Sequence, residues 1–186
     1  MEIYSYLKRY INKVEHQCIT EHLWFDRVSM EDIDKAEMLC NIKFPNELVN
    51  FWLAIGQGQI EDSKKDGCEN YILPPTYISN IIVDPENAEW CYYADDSNQE
   101  MLEKGYFPFF DIQQSEYFLW MKAGSDSVYD PSEIKIEEHF EDFIYNLCHI
   151  HPGYYWKKIC SEENWKKEGY NIPEVDTNWY LGRHKR

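Results

Sequence analysis

The sequence lacks the short motifs by which many enzymes are recognised. It has no glycine-rich phosphate loop, no GxSxG nucleophile turn and no HExxH pair. Close cysteine pairs of the kind that hold structural zinc are also missing. We therefore expect no catalytic residue, no cofactor and no metal. The six cysteines are scattered along the chain at positions 18, 40, 68, 91, 148 and 160.

Long apolar runs are missing as well. No run approaches the roughly 20 residues that a membrane helix requires, and the N-terminus lacks the apolar block of a secretory signal. We expect a cytoplasmic protein with no membrane partner. Its scattered thiols are then free and mostly buried, since a chain of 186 residues needs no disulfide to hold its core.

The one cluster that could suggest a metal is CHIHPG, with Cys148, His149 and His151. Thiolate and imidazole are zinc ligands, but structural zinc takes four ligands and no second pair lies nearby in sequence. The alternative is that His149 lies at a helix end, where it caps carbonyls and favours the negative end of the dipole. We prefer this alternative.

Basic residues are few. Lys and Arg number 18 against 34 Asp and Glu, for a net charge of -16, while the 17% aromatic share is too high for a disordered chain. Residues 84–104 and 126–142 each carry seven acidic residues and one Lys, a charge of -6 apiece. Such a field repels nucleic acid and speeds association with a basic protein. A merely solvated acidic surface remains an equal alternative.

The first acidic segment supplies our candidate partner-binding residues. Its carboxylates would attract a basic partner, and its aromatic residues could act as anchors, although core packing explains each aromatic residue singly at least as well. The candidates are Glu89, Trp90, Tyr92, Asp95, Asp96, Glu100 and Glu103.

Two helix patterns meet between Val28 and Gly58. Ser29 and Asp32 have the spacing of a capping box, and an apolar stripe (Ile33, Ala36 and Cys40) follows them. Pro45 ends that helix and suits the first turn of another. The second helix has a stripe at i, i+3, i+4 and i+7, followed by two glycines able to end it: Leu48, Phe51, Trp52, Ile55, Gly56 and Gly58.

Elsewhere the pattern predicts an amphipathic helix from Ile3 to Val14 and a strand at Tyr71–Leu73. The run from Tyr77 to Val83 fits either helix or strand, and 85–104 reads as irregular or briefly helical. Three aromatic segments, YFPFFDI, EYFLWMKA and SVYDP, predict an antiparallel meander, and a helix with one apolar face from Ile136 to Leu147 should cover it.

Residues 1–150 are therefore one domain, and a Trp-rich extension follows at 151–186. If Trp156, Trp165 and Trp179 stayed in water, the chain would lose the large favourable free energy of burying their side chains. We expect the extension to pack on the domain.

Across about residues 20–148 the chain resembles the Smi1/Knr4 (SUKH) superfamily. The resemblance lies in the order and spacing of residues in the first two helices, the meander and the last helix. The matching residues are Ile33, Glu37, Phe44, Pro45, Phe51 and Gly58, then Phe107, Pro108 and Phe109, Tyr117 to Trp120, Val128, and finally Phe140 and Phe143.

This resemblance implies an α+β domain, a mainly antiparallel sheet flanked by helices, without catalytic residues. Many bacterial members of the superfamily resemble immunity proteins that neutralise a cognate toxin, often a nuclease, and the acidic charge fits a basic toxin. The alternative is a regulatory scaffold of the fungal type that binds signalling partners. Glu37 is expected to fix local backbone or pair with a cation. The oligomeric state stays open.

Overall fold

The computed structural model describes residues 4–5, 7–8, 11, 23–61, 69–85, 96–112 and 117–149. Within these ranges the chain forms an antiparallel sheet in which every strand pairs with the next one along the sequence. This arrangement confirms the predicted α+β class. The strands are β1 Leu23–Asp26, β2 Gln57–Glu61, β3 Glu69–Ile72, β4 Tyr106–Ile112, β5 Tyr117–Lys122, β6 Ser125–Tyr129 and β7 Lys135–Glu137.

Helices are inserted between paired strands. The first two connect β1 to β2, the next two connect β3 to β4, and the last follows β7. The first helix packs against the third. The helices are α1 Met30–Cys40, α2 Asn46–Ala54, α3 Pro75–Val83, α4 Asp96–Glu103 and α5 Phe140–His149.

The predicted boundary between α1 and α2 is confirmed. The backbone N–H of Asp32 donates to Ser29 Oγ at 3.2 Å, and the Asp32 carboxylate accepts from the Ser29 N–H at 3.1 Å. Asn41 ends α1 with a left-handed φ of 55°. Pro45 then stands immediately before α2, where its missing N–H leaves no donor unpaired.

Gly56 follows α2 and lies against the end of β1. Its φ is +121°, and a Cβ built on it would lie 1.9 Å from the carbonyl oxygen of Asp26. Only glycine fits there, because any side chain would overlap the β1 backbone. Gly58, which the sequence also assigned to the helix end, lies in β2 opposite Phe25 and Ile72.

A bulge in β4 decides which residues share a face of the sheet. The pairing with β5 shifts between Pro108 and Phe110, so that Phe109 is the extra residue. Phe109 and Phe110, although consecutive, both contact the ring of Phe143, at 5.6 and 5.4 Å. Directly opposed residues share a face. The helix side of the β4–β5 pair therefore carries Phe107, Phe110, Leu119 and Met121, and the far face carries Pro108, Asp111, Phe118 and Trp120.

Aromatic rings join the helices to the helix side. The centre of the Phe44 ring lies 5.4 Å from that of Phe107 and 5.1 Å from that of Trp52, and both pairs are edge to face. Phe51 of α2 contacts Phe140 of α5 at 5.5 Å. These edge-to-face pairs add specific geometry to the burial of large apolar surfaces, so they fix the position of α2 and α5 over the sheet.

Several predicted elements need correction. The last helix begins at Phe140, because Ile134 and Ile136 are buried on either side of an exposed Lys135, and this alternation belongs to a strand. The run from Tyr77 to Val83, for which the sequence left helix and strand open, is helical and belongs to α3, which starts at Pro75.

The predicted N-terminal helix is described only in part. Tyr4 and Leu7 are buried, and the Leu7 N–H donates to the Tyr4 carbonyl at 3.0 Å. Ile11 forms a parallel bridge to Phe25, so the prediction is wrong at this residue. The predicted extension at 151–186 lies outside the described residues.

Candidate functional site

Helix α4 carries the candidate residues that the structure describes. Asp96, Glu100 and Glu103 are spaced at i, i+4 and i+7, which places them along one stripe of the helix. Glu100 and Glu103 are exposed, whereas Asn98 and Met101 are buried at 3% and 2%. The helix therefore presents the carboxylates of Glu100 and Glu103 to solvent. The remaining candidates, Glu89, Trp90, Tyr92 and Asp95, lie outside the described residues.

Lys104 joins the two acidic segments of the sequence. Its Nζ lies 2.7 Å from Glu100 Oε1 and 2.5 Å from Glu133 Oε1. The hydrogen bonds to Glu100 and Glu133 raise the pKa of Lys104. The hydrogen bond between Lys104 and Glu133 in turn lowers the pKa of Glu133. Segments 84–104 and 126–142 thus form one surface at this point.

Aromatic residues continue this surface on the far face of the sheet. Lys122 Nζ lies 5.0 Å from the centre of the Tyr106 ring, and Tyr129 contacts the same ring at 5.2 Å. Burial, followed by the negative charge of Glu133, raises the pKa of the Tyr106 hydroxyl. We call Glu100, Lys104, Tyr106 and Glu133 the Lys104 cluster.

Glu133 is held in an unusual conformation within this cluster. Its φ is 60°, a left-handed value that non-glycine residues seldom adopt. Its N–H donates to the Asp130 carbonyl at 3.0 Å, and its carboxylate pairs with Lys104. Backbone strain of this kind persists only where surrounding contacts enforce it, and it is found often at functional sites.

Much of the second acidic segment stabilises the fold. The buried carboxylate of Asp130 accepts from the N–H groups of Ser132 and Ile134, at 3.0 and 2.8 Å. Asp126 accepts from the backbone N–H of Glu47 at 2.9 Å, at the start of α2. These two acids cap backbone groups.

Glu47 connects α2 to the start of α5. Its carboxylate lies 2.9 Å from Nδ1 of His139 and accepts from the N–H of Glu141 at 3.0 Å. Hydrogen bonding to Glu47 raises the pKa of His139, with the Glu47 charge acting in the same direction. A carboxylate at a helix N-terminus also favours the helix dipole.

Of the three residues in the CHIHPG cluster, the structure describes the side chain of Cys148. Burial raises the pKa of its thiol to about 12, which disfavours the thiolate form that binds zinc. His149 ends α5, and His151 lies outside the described ranges. Across the residues that the structure describes, no three metal-ligating side chains come together. None of the helices described is both long enough and apolar enough to span a bilayer.

Sequence reasoning missed three of these residues. Lys104 could have been paired with Glu100 from their i, i+4 spacing, but Glu133 lies 29 residues further on, and only tertiary structure brings it near. Asp111 lies on the far face at 5% exposure, and burial raises its pKa to about 6. The only sequence signal for Asp111 was an acidic residue within an otherwise aromatic strand.

Two comparisons place the chain among known proteins. The model of the SMI1/KNR4 family (SUKH-1) matches residues 27–146. Immunity protein YxxD of Bacillus subtilis (strain 168) is 31% identical over 91 residues, which make up 49% of this chain and 59% of that protein. The chain thus matches less than two thirds of the relative's length.

Proposed function

This chain belongs to the SMI1/KNR4 family (SUKH-1), and we propose that it is an immunity protein that binds and neutralises a cognate bacterial toxin without catalysis. The observation that carries the proposal is the 31% identity over 91 residues with a protein named immunity protein YxxD. The resemblance of residues 20–148, read from the sequence, is confirmed by the family match to 27–146.

We propose that the toxin binds at α4 and the Lys104 cluster. This site is supported by the exposed Glu100 and Glu103 of α4 and by Lys104, which pairs with both Glu100 and Glu133. The residues just before the helix, Glu89, Trp90, Tyr92 and Asp95, complete the proposed surface.

The proposed toxin is basic. Segment 84–104 carries a charge of -6, and a partner of opposite sign would be attracted over about a Debye length. A nuclease is the class that fits, because its substrate groove must be positive to hold a polyanion. The same field disfavours nucleic acid as a direct partner.

Lys104 would prepare the surface for binding. By pairing with Glu100 and Glu133 it holds both carboxylates in place before a partner arrives. Fewer side chains then lose freedom on association, which lowers the entropic cost of binding.

We propose that the protein acts in the cytoplasm.

Co-expression tests the proposed role directly. The product of the adjacent reading frame is expressed alone and together with this chain, and growth is measured. We expect growth to stop without this chain and to recover with it, and a pull-down to recover the two proteins as a complex. If growth does not recover and signalling proteins are recovered instead, the regulatory scaffold becomes the better account.

A matched pair of charge variants tests the proposed surface. Asp96→Asn with Glu103→Gln removes two charges from α4, and Glu31→Gln with Asp34→Asn removes two from exposed positions of α1. Association with the toxin should slow by roughly three- to tenfold for the α4 variant and little for the α1 control. Added salt should slow the wild type more than the α4 variant. Equal rates for the two variants would move the site away from α4.

A further inference from the structure

We propose that a buried water molecule links the indole N–H of Trp120 to the carboxyl group of Asp111 on the far face of strands β4 and β5. In this link the water accepts a hydrogen bond from Trp120 Nε1 and donates one to an oxygen of Asp111. The inference concerns the interior of the fold and is independent of the proposed function.

The β4–β5 register makes the two residues neighbours. Asp111 lies directly opposite Phe118, and Trp120 lies two residues beyond Phe118 on the same face, opposite Pro108. Trp120 is therefore the diagonal neighbour of Asp111 across the strand pair, a relation in which the Cα atoms lie about 7–8 Å apart. The rings of Phe118 and Trp120 pack edge to face with their centres 6.4 Å apart.

Both residues are shielded from bulk solvent. Asp111 is 5% exposed and Trp120 is 0% exposed. Helix α4 packs against β4, and its residues Asn98 and Met101 are buried as well. A water molecule that contacts Trp120 Nε1 is therefore part of the folded interior.

The two side chains are complementary in the hydrogen bonds that they need. Across the described parts of the chain, the indole N–H of Trp120 has no acceptor, and the Asp111 carboxyl has no donor, so that burial alone raises its pKa. Buried polar groups are nearly always paired in native proteins, because an unpaired group costs its full desolvation energy. An indole N–H only donates and a carboxylate only accepts, so each supplies what the other lacks.

A water molecule fits this arrangement better than a direct bond. Within the described residues, no acceptor lies within hydrogen-bond distance of Trp120 Nε1, so the Asp111 oxygens are beyond its direct reach. Water both accepts and donates, and it can bridge a donor and an acceptor that are too far apart to meet. Buried waters typically bind about two to four polar groups that would otherwise be unpaired.

The link lies next to the aromatic side chains that continue the Lys104 cluster. Trp120 pairs with Tyr129 of β6, and the centre of the Tyr129 ring lies 5.2 Å from that of Tyr106. A fully paired polar network makes its surroundings more rigid. A hydrogen bond that fixes the Trp120 ring therefore also limits the motion of the side chains beside it.

NMR spectroscopy of the isotope-labelled full chain tests the assignment. Nuclear Overhauser spectra in the laboratory and rotating frames measure transfer from water to each indole N–H, and the relative signs separate a bound water from chemical exchange. The variant Trp120→Phe identifies the Trp120 signal by its loss. Trp52 is the matched control, because it is equally buried but its Nε1 donates to the Leu73 carbonyl at 3.1 Å.

We expect the signal of a long-lived water at Trp120 and none at Trp52. Asp111→Val should abolish the signal at Trp120, because the water loses its acceptor, whereas Asp111→Asn keeps an acceptor oxygen and should retain the signal. Asp111→Leu replaces Asp111→Val if that variant does not fold. No water signal at Trp120, equal signals at Trp120 and Trp52, or a signal at Trp120 that persists without the carboxyl would each overturn the assignment.

Discussion

The side chain of Glu37, in the last turn of α1, accepts a hydrogen bond of 3.0 Å from the backbone N–H of Phe44. Its other oxygen pairs with Lys43. Glu37 was expected to fix local backbone or to pair with a cation, and it does both. The bond closes the loop that carries Phe44 into contact with Phe107 and Trp52, so a buried charge sets the position of a core ring.

Replacing Glu37 should reveal this role. We expect Glu37→Ala to lower the free energy of unfolding by about 2–3 kcal/mol, because a buried N–H loses its acceptor, and Glu37→Gln to cost less, because an acceptor remains. Urea denaturation measures both. Glu31→Ala, exposed on the same helix, is the control. A Glu37 effect no larger than that of Glu31 would contradict the assigned role.

Gly56 should tolerate no side chain. Gly56→Ala places a Cβ against the Asp26 carbonyl, and we expect a loss of about 4 kcal/mol or failure to fold, measured by circular dichroism and denaturation. Gly124→Ala provides the comparison, because Gly124 also has a positive φ, +76°, but a Cβ built there would meet nothing within 4 Å. That variant should lose only about 1 kcal/mol from strain. Similar losses at both positions would show that steric overlap is not the cause.

Asp111 should make stability depend on pH. Its folded-state pKa is raised from 3.8 to about 6, so the neutral form is favoured by folding. Stability is then full below about pH 4 and falls as pH rises through 6, by up to about 3 kcal/mol. Asp111→Asn should remove this loss and be more stable than wild type at pH 7.

The comparison for Asp111 is Asp34→Asn, which changes the same charge at an exposed position of α1. Denaturation midpoints are measured from pH 4 to pH 8. If the difference between wild type and Asp111→Asn does not vary with pH, the carboxyl does not titrate as its burial requires.

His139 should titrate above its ordinary value of 6.5, because Glu47 stabilises the charged ring. The stability that the pair contributes is present below pH 6.5 and is lost as pH rises through the raised pKa. NMR titration of the ring protons, assigned with His139→Asn, measures this pKa. Glu47→Gln should lower it markedly and Glu138→Gln only slightly. Equal shifts in the two variants would exclude the Glu47 hydrogen bond as the main cause.

The local elements could be read from the sequence to different extents. The start of α1 was predictable because Ser29 and Asp32 interact within one helical turn. The strand β7 was missed because Ile136 also lies four residues before Phe140, so helix and strand periodicities overlap there. The apolar residues of α3 form a continuous run, which has no periodicity that could distinguish a helix from a strand.

The candidate site was predictable only where its parts are close in sequence. The stripe of Asp96, Glu100 and Glu103 follows from helical spacing once α4 is known. Lys104, just before β4, pairs with Glu133, in the segment after β6. The sheet brings these two parts of the chain together, and no local sequence pattern encodes that proximity.

The family, the meander of aromatic strands and the acidic charge can all be read from the sequence, because they depend on composition, order and short-range periodicity. The position of Asp111 cannot be read in this way, because it depends on how β4 pairs with β5. Strict alternation would have placed it beside Phe107 and Phe109, beneath the helices. The bulge at Phe109 adds one residue to β4 and turns Asp111 to the far face, since a shift of one residue reverses every later side chain of a strand.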